Sequence, residues 1–190
     1  MTETRRLLEA AAALSRLLND RGVAHAFHGN VVTAVLANAS HSDEIACICE
    51  GGPHHPFRRV REATEGSEDF TTTLSPWTNR LHTTYHRLIP SIEIEILPAG
   101  EEGPRRLDGT TTMIIRGIPF LTVSEFIRAK LRTWAIRGME RDAQDIVYVL
   151  TRYWNRVDAN RIPEQDMNQF VARFQAAAPG WTAVKNKYGM

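Results

Sequence analysis

Two glutamates, Glu93 and Glu95, stand at alternate positions in the run SIEIEIL (91 to 97), interleaved with Ile92, Ile94 and Ile96. Alternation of this kind reads as a half-buried strand, because successive side chains of extended backbone point to opposite faces. Both carboxylates therefore share a face, where they can hold a divalent cation or the cationic group of a substrate. Asp43 and Glu44 precede a second apolar run, IACIC (45 to 49). The expectation is that Asp43 or Glu44 joins Glu93 and Glu95 in one acidic cleft. Positive charge is grouped elsewhere: Arg58, Arg59 and Arg61 fall on the outward side of a short helix expected over Phe57 to Ala63, just after His54 and His55. Such a patch can follow an RNA backbone, although no aromatic side chains interleave with it for base stacking. Lys130 lies between two apolar helical turns, so its stem must run along the core before its ammonium emerges.

Other candidate chemistries are weaker. His82 and His86 would make a metal pair on a helix, but Thr83, Thr84 and Tyr85 between them favour a strand. No serine or cysteine can be tied to a base as a nucleophile. Cys47 and Cys49 share a strand face and are poorly placed to bond to each other, so they read as buried thiols of a cytoplasmic protein.

The elements that must carry these residues follow from periodicity. Residues 4 to 20 form an amphipathic helix with Leu7, Leu8, Ala11, Leu14, Leu17 and Leu18 inward, closed by Gly22. A strand over Val23 to Phe27 leads through a Gly29–Asn30 turn into a helix over Val31 to Ala37. Strands are expected over Glu44 to Cys49, Asp69 to Leu74, Thr83 to Leu88 and Thr110 to Ile115, with a loop from 98 to 112. Ser124 is the expected N-cap of a helix that ends near Gly138. A second helix presents Ile146, Val147, Val149 and Leu150 on one side, with Arg141, Asp142 and Asp145 on the other. One or two further helices lie beyond Leu150, interrupted by a loop over Asp158 to Pro163, and the Lys185–Lys187 tail is expected to be mobile.

At 190 residues, with 43% hydrophobic and 24% charged content and a net charge of +1, the chain fits one compact unit without whole-molecule attraction to nucleic acid. No apolar run reaches the roughly 18 to 20 residues needed to span a bilayer, so no membrane partner is expected.

Lys130, Arg137, Arg141–Asp142 and Asp145–Ile146 together resemble the helical tail of small nucleotidyltransferase-fold proteins, in which a lysine-bearing helix precedes an Arg-x(3)-Lys/Arg-Asp-x-x-Asp-Ile segment. LLNDRGVAHAFHGN (17 to 30) is similar to their entry helix, first strand and glycine turn, and SDEIACICE (42 to 50) stands where they carry an Asp-Ile-Asp strand. The likeness covers roughly residues 5 to 150. It implies an α+β fold, a mixed sheet flanked by helices over 1 to 122, with a helical extension over 123 to 190 packed on it as a single compact unit. It also implies that Gly29 and Asn30 approach a nucleotide phosphate at a helix start, with Lys130 and Arg58, Arg59 and Arg61 as further phosphate or RNA contacts.

Two-metal nucleotidyl transfer uses carboxylates at i and i+2 of one strand. If Ile45 matches the family's central isoleucine, those positions are Glu44 and Ala46, so one ligand is missing; Glu44, Glu93 and Glu95 would be the ligands of any surviving centre. The resemblance is thus to a small, fungal-type member with a degenerate metal motif, and Mg2+ and a metal-free site are equal expectations. Three functions compete: binding of a nucleotide or RNA end with altered or lost metal chemistry; aminoacyl transfer from a transfer RNA, as in the small fungal arginine-containing cyclodipeptide synthases, with the acids holding a guanidinium; and a non-catalytic binding module. The sequence does not select a substrate or an oligomeric state.

Overall fold

The computed structural model describes residues 1 to 37 and 45 to 190. The chain divides into two units, Met1–Leu121 and Thr122–Met190.

The first unit begins with α1 (Glu3–Asp20), which buries Leu7, Leu8, Ala11, Leu14 and Leu18. Thr2 caps it by accepting from the Arg5 amide, and Gly22, at φ +65°, turns the chain out of it. β1 (His25–His28) and α2 (Asn30–Ala37) follow. The remaining elements are β2 (Ile45–Cys49), α3 (Pro56–Thr64), β3 (Phe70–Leu74), β4 (Leu81–Tyr85), β5 (Ile92–Pro98), β6 (Thr112–Ile115) and β7 (Ile118–Leu121). They build a seven-stranded mixed sheet in the order β3-β4-β5-β2-β1-β7-β6. β2 runs parallel to β5 and antiparallel to β1, while β7 is parallel to β1.

Register divides the sheet into two faces. Phe27, Cys47, Ile96 and Leu81 are cross-strand partners in turn, as are Ile45, Ile94 and Thr83. This face is buried under helices: α1 reaches it through Ser15 to His25 (2.7 Å) and Glu9 to Tyr85 (3.2 Å), and α3 through Thr64 to Thr72 (2.8 Å). The opposite face carries an apolar cluster of Ala26, Ala46, Ile48, Leu97 and Leu121, against which Ala99 and Leu107 of the 98–111 loop pack. Gly103 belongs to the same packing, since a Cβ there would lie 2.5 Å from Ile48 Cδ1.

The second unit is helical. α4 (Val123–Arg137) and α5 (Glu140–Tyr153) are joined through Gly138 at φ +65°. Short 3-10 turns lead to α6 (Glu164–Arg173) and α7 (Ala178–Lys187). Trp134 meets Phe170 edge-to-face at 4.9 Å between centroids, and Phe174 stacks on Phe170.

Several expectations change. Thr122, not Ser124, caps α4, accepting from the Glu125 amide; Ser124 lies in the first turn and accepts from the Asp158 amide at 2.8 Å. Two hydroxyls stand near the helix start, and tertiary packing takes the second one. β4 starts two residues earlier than expected, and β7 forms directly ahead of the expected helix. Leu17 is half-buried rather than inward. The Lys185–Lys187 segment is helical, and Lys187 Nζ donates to the carbonyls of Asn155 and Val157. No helix among the described residues is long and apolar enough to cross a membrane.

Candidate functional site

The sheet face opposite α1 carries Glu95 in a row of cross-strand partners. His28 pairs with Ala46, Ala46 with Glu95, and Glu95 with His82, so these four side chains follow one another across β1, β2, β5 and β4. Gly29, at φ +93°, comes directly after His28, and α2 starts at Asn30. The turn therefore leaves the sheet at the end of the row. A positive φ is open to glycine at little cost, and the first amides of a helix lack intrahelical partners. Asn30 itself is buried, and its carbonyl accepts from Thr33 Oγ1 at 2.9 Å.

Glu93 and Glu95 share this face, and the isoleucines between them are buried on the other, as alternation requires. Glu95 has a cationic neighbour and Glu93 an imidazole one. Arg80, at the start of the β4 hairpin arm, is ion-paired with Glu95 through Nη1, and its Nη2 lies 3.5 Å from Glu102 Oε1 on the 98–111 loop. The hydrogen bond to Glu95 raises the pKa of Arg80 further, so the guanidinium stays charged at every working pH. His82 Nδ1 is 2.9 Å from Glu93 Oε1. Arg80 also lines a cavity of about 560 Å³ with His55, Phe57, Leu74, Glu101 and Glu102.

A pair of Mg2+ ions does not fit the described residues of this row. Ala46 offers a methyl group where the strand would present an oxygen, and the charge of Glu95 is matched by Arg80. Mg2+ needs few but strongly charged ligands in octahedral geometry. No group of three or more histidine, cysteine, aspartate or glutamate side chains among the described residues is placed to hold a metal. Asp43 and Glu44 lie outside the described residues.

The arginine patch separates into two kinds of residue. Arg58 and Arg61 are exposed, with Arg58 paired to Glu62 at 2.9 Å one helical turn on. Arg59 does not point outward with them, contrary to expectation. It is half-buried and donates to the carbonyls of Glu50 (3.3 Å) and Gly22 (3.1 Å), tying α3 to the end of β2 and the α1 exit. Those carbonyls sit where chain turns leave acceptors without partners, and a long planar donor satisfies both at once.

Lys130 belongs to the second unit and ends on acids of the same unit. Its ammonium lies 3.3 Å from Asp142 and 3.2 Å from Asp145, and all three side chains are about nine-tenths buried. The ammonium therefore does not emerge, and Asp142 and Asp145 do not line the exposed side of α5. Burial pushes the Asp145 carboxyl up, with Lys130 opposing the shift. Near the α4 start, buried Glu125 pairs with Arg161 at 2.9 Å. Cys47 and Cys49 are buried free thiols with 3.8 Å between sulfurs, and burial holds the Cys47 thiol well above its usual range, so neither is poised for nucleophilic chemistry.

Sequence reasoning misses Arg80. It stands in the turn after Pro76–Trp77, and only the pairing of β4 with β5 carries it to Glu95; a lone arginine fifteen residues from its partner leaves no local signal.

The mixed sheet, with a glycine turn after β1 and two carboxylates on one face of β5, is a nucleotidyltransferase-like fold. Solved structures agree: an antigenic nucleotidyltransferase-like protein from Paracoccidioides brasiliensis superposes with TM-score 0.64 at 17% identity, covering 95% of this chain and 92% of that one. A provisionally assigned nucleotidyltransferase from H. pylori gives TM-score 0.57 at 13% identity, over 95% of this chain and 80% of the other. At these identities the likeness concerns the fold. No family model matches the sequence, and no curated protein matches it significantly.

Proposed function

We propose that this nucleotidyltransferase-fold protein binds a nucleotide or an RNA end along the row from the Gly29–Asn30 turn to Glu95, with the two-metal chemistry of the fold altered. The register of Ala46 beside Glu95 carries the reading. In this reading the site is the helix-start turn after β1 together with the carboxylates of β5 two strands away, with Ala46 of β2 between them in place of a ligand. Amides at the start of α2 can receive a phosphate without a metal. Exposed Arg58 and Arg61 add charge for an RNA backbone, while Arg59 and Lys130 serve the structure.

One observation favours a second reading. Glu95 and Glu102 already hold a guanidinium, that of Arg80. The same acids can hold the side chain of an arginyl group delivered by a transfer RNA, as in arginine-containing cyclodipeptide synthases, if Arg80 is displaced.

Thermal-shift titration with Mg2+, each NTP, free arginine and crude transfer RNA separates these readings, because a ligand of the native state raises the midpoint by mass action. An NTP or RNA response without Mg2+ is expected. A response to arginine alone would favour aminoacyl transfer, and silence to all four would refute both and leave a binding module for another ligand.

A further inference from the structure

Glu93 and Glu95 each have a nitrogen-bearing side chain of the protein beside them, and the arrangement around Glu95 is the tightest. Arg80 reaches across from the hairpin, places Nη1 on Glu95 and directs Nη2 toward Glu102. The side chains of Arg80, Glu95 and Glu102 are 37%, 21% and 29% exposed, so the group is partly withdrawn from water and its charges are only partly screened. Glu95 sits in register with Ala46 of the neighbouring strand β2. A guanidinium there supplies a single fixed positive charge that needs no free ion, and its planar fork matches two carboxylate oxygens.

We infer that Arg80 is a built-in lock on Glu95: its guanidinium occupies the carboxylate that would otherwise coordinate a divalent cation, and makes the site independent of metal. The inference deepens the nucleotide reading of the same face and rests on it. Two features make the lock a specific device. Its cation comes from the turn just before β4 and the acid it blocks from β5, so a single side chain decides the outcome. It also borders the 560 Å³ cavity, whose lining includes Glu102 as well as Arg80. Removing the guanidinium uncovers Glu95 and Glu102 together, and two carboxylates completed by water suffice for a Mg2+-like ion.

The test uses Mn2+ alone, with the full chain and no nucleotide, read by electron paramagnetic resonance of the free ion. R80Q is expected to bind Mn2+ at least tenfold more tightly than the unaltered protein, and R80Q/E95Q to lose that gain. A folded R80Q that binds no better than the unaltered protein overturns the lock. E95Q in the otherwise unaltered chain gives an independent check that does not depend on R80Q folding. The lock requires Mn2+ binding to be the same with and without E95Q, and a loss of binding on this single change refutes it. Because no nucleotide is present, the Mn2+ result is read independently of NTP affinity; a gain in R80Q beside a separate titration that finds no NTP binding to either protein would sustain the lock while overturning the nucleotide reading.

Discussion

Lys130→Met tests whether the lysine of α4 is a structural charge or a ligand contact. The side chain is 9% exposed and sits between Asp142 and Asp145, which are 10% and 12% exposed. Removing it leaves two carboxylates facing each other out of water, and breaking a buried pair in this way costs about 3–5 kcal/mol. The sign with pH is fixed by Asp145, whose folded pKa is raised by burial. A raised acid binds more protons folded than unfolded, so its ionisation removes stability as pH rises from the ordinary carboxylate value through the raised one. Lys130 limits that loss in the native protein; without it, the raised window widens. The deficit of Lys130→Met should therefore be full at pH 7 and smaller at pH 5, where Asp145 can take up a proton. Urea unfolding followed by the fluorescence of Trp134 and Trp181 at both pH values gives the difference directly. K130M/D142N/D145N should recover most of it. A loss under about 1 kcal/mol that does not change with pH would refute the buried triad, because exposed pairs behave that way.

Three further outcomes follow from packing and hydrogen bonds. Arg59→Ala should cost about 1–3 kcal/mol in urea unfolding, since two carbonyls lose a charged donor, whereas Arg58→Ala should cost under about 1 kcal/mol and Arg58→Ala/Arg61→Ala should weaken RNA binding instead. Gly180→Ala should destabilise by about 1–3 kcal/mol, because its Cβ would stand 2.7 Å from the Leu150 carbonyl oxygen; an unchanged unfolding midpoint would show that the α5–α7 contact yields to a methyl group. Glu125→Gln should cost about 2–4 kcal/mol, as Arg161 loses its partner at a site 2% exposed, and Arg161→Met in the same background should add little more; additive losses would show that the two are not coupled.

Much of the fold was legible in short-range pattern. The period-2 alternation of SIEIEIL set the faces of β5 correctly, and Gly22 and Gly138 marked two helix ends because a left-handed turn favours glycine. What stayed hidden depends on partners distant in sequence. Asp142 and Asp145 read as an exposed stripe because charge favours water, and only the packing of α4 on α5 within the second unit gives them Lys130. Arg59 looks equivalent to Arg58 and Arg61 on the helix, yet the carbonyls that claim it belong to residues 22 and 50. Ser124 loses the cap to Thr122 because both can fill it locally and a loop amide takes the serine hydroxyl. At the site, the sequence shows Ala46 two residues after Glu44, while the counter-charge on Glu95 needs the β4–β5 register.

Nucleotide binding on this sheet face without a divalent metal is open to direct measurement. Isothermal titration with the NTP that stabilises the protein most, in Mg2+ and then in EDTA, compares the two affinities. They should agree within about threefold, a difference under about 0.7 kcal/mol. Binding that appears only with Mg2+ would contradict the account and restore a working metal centre to this sheet face.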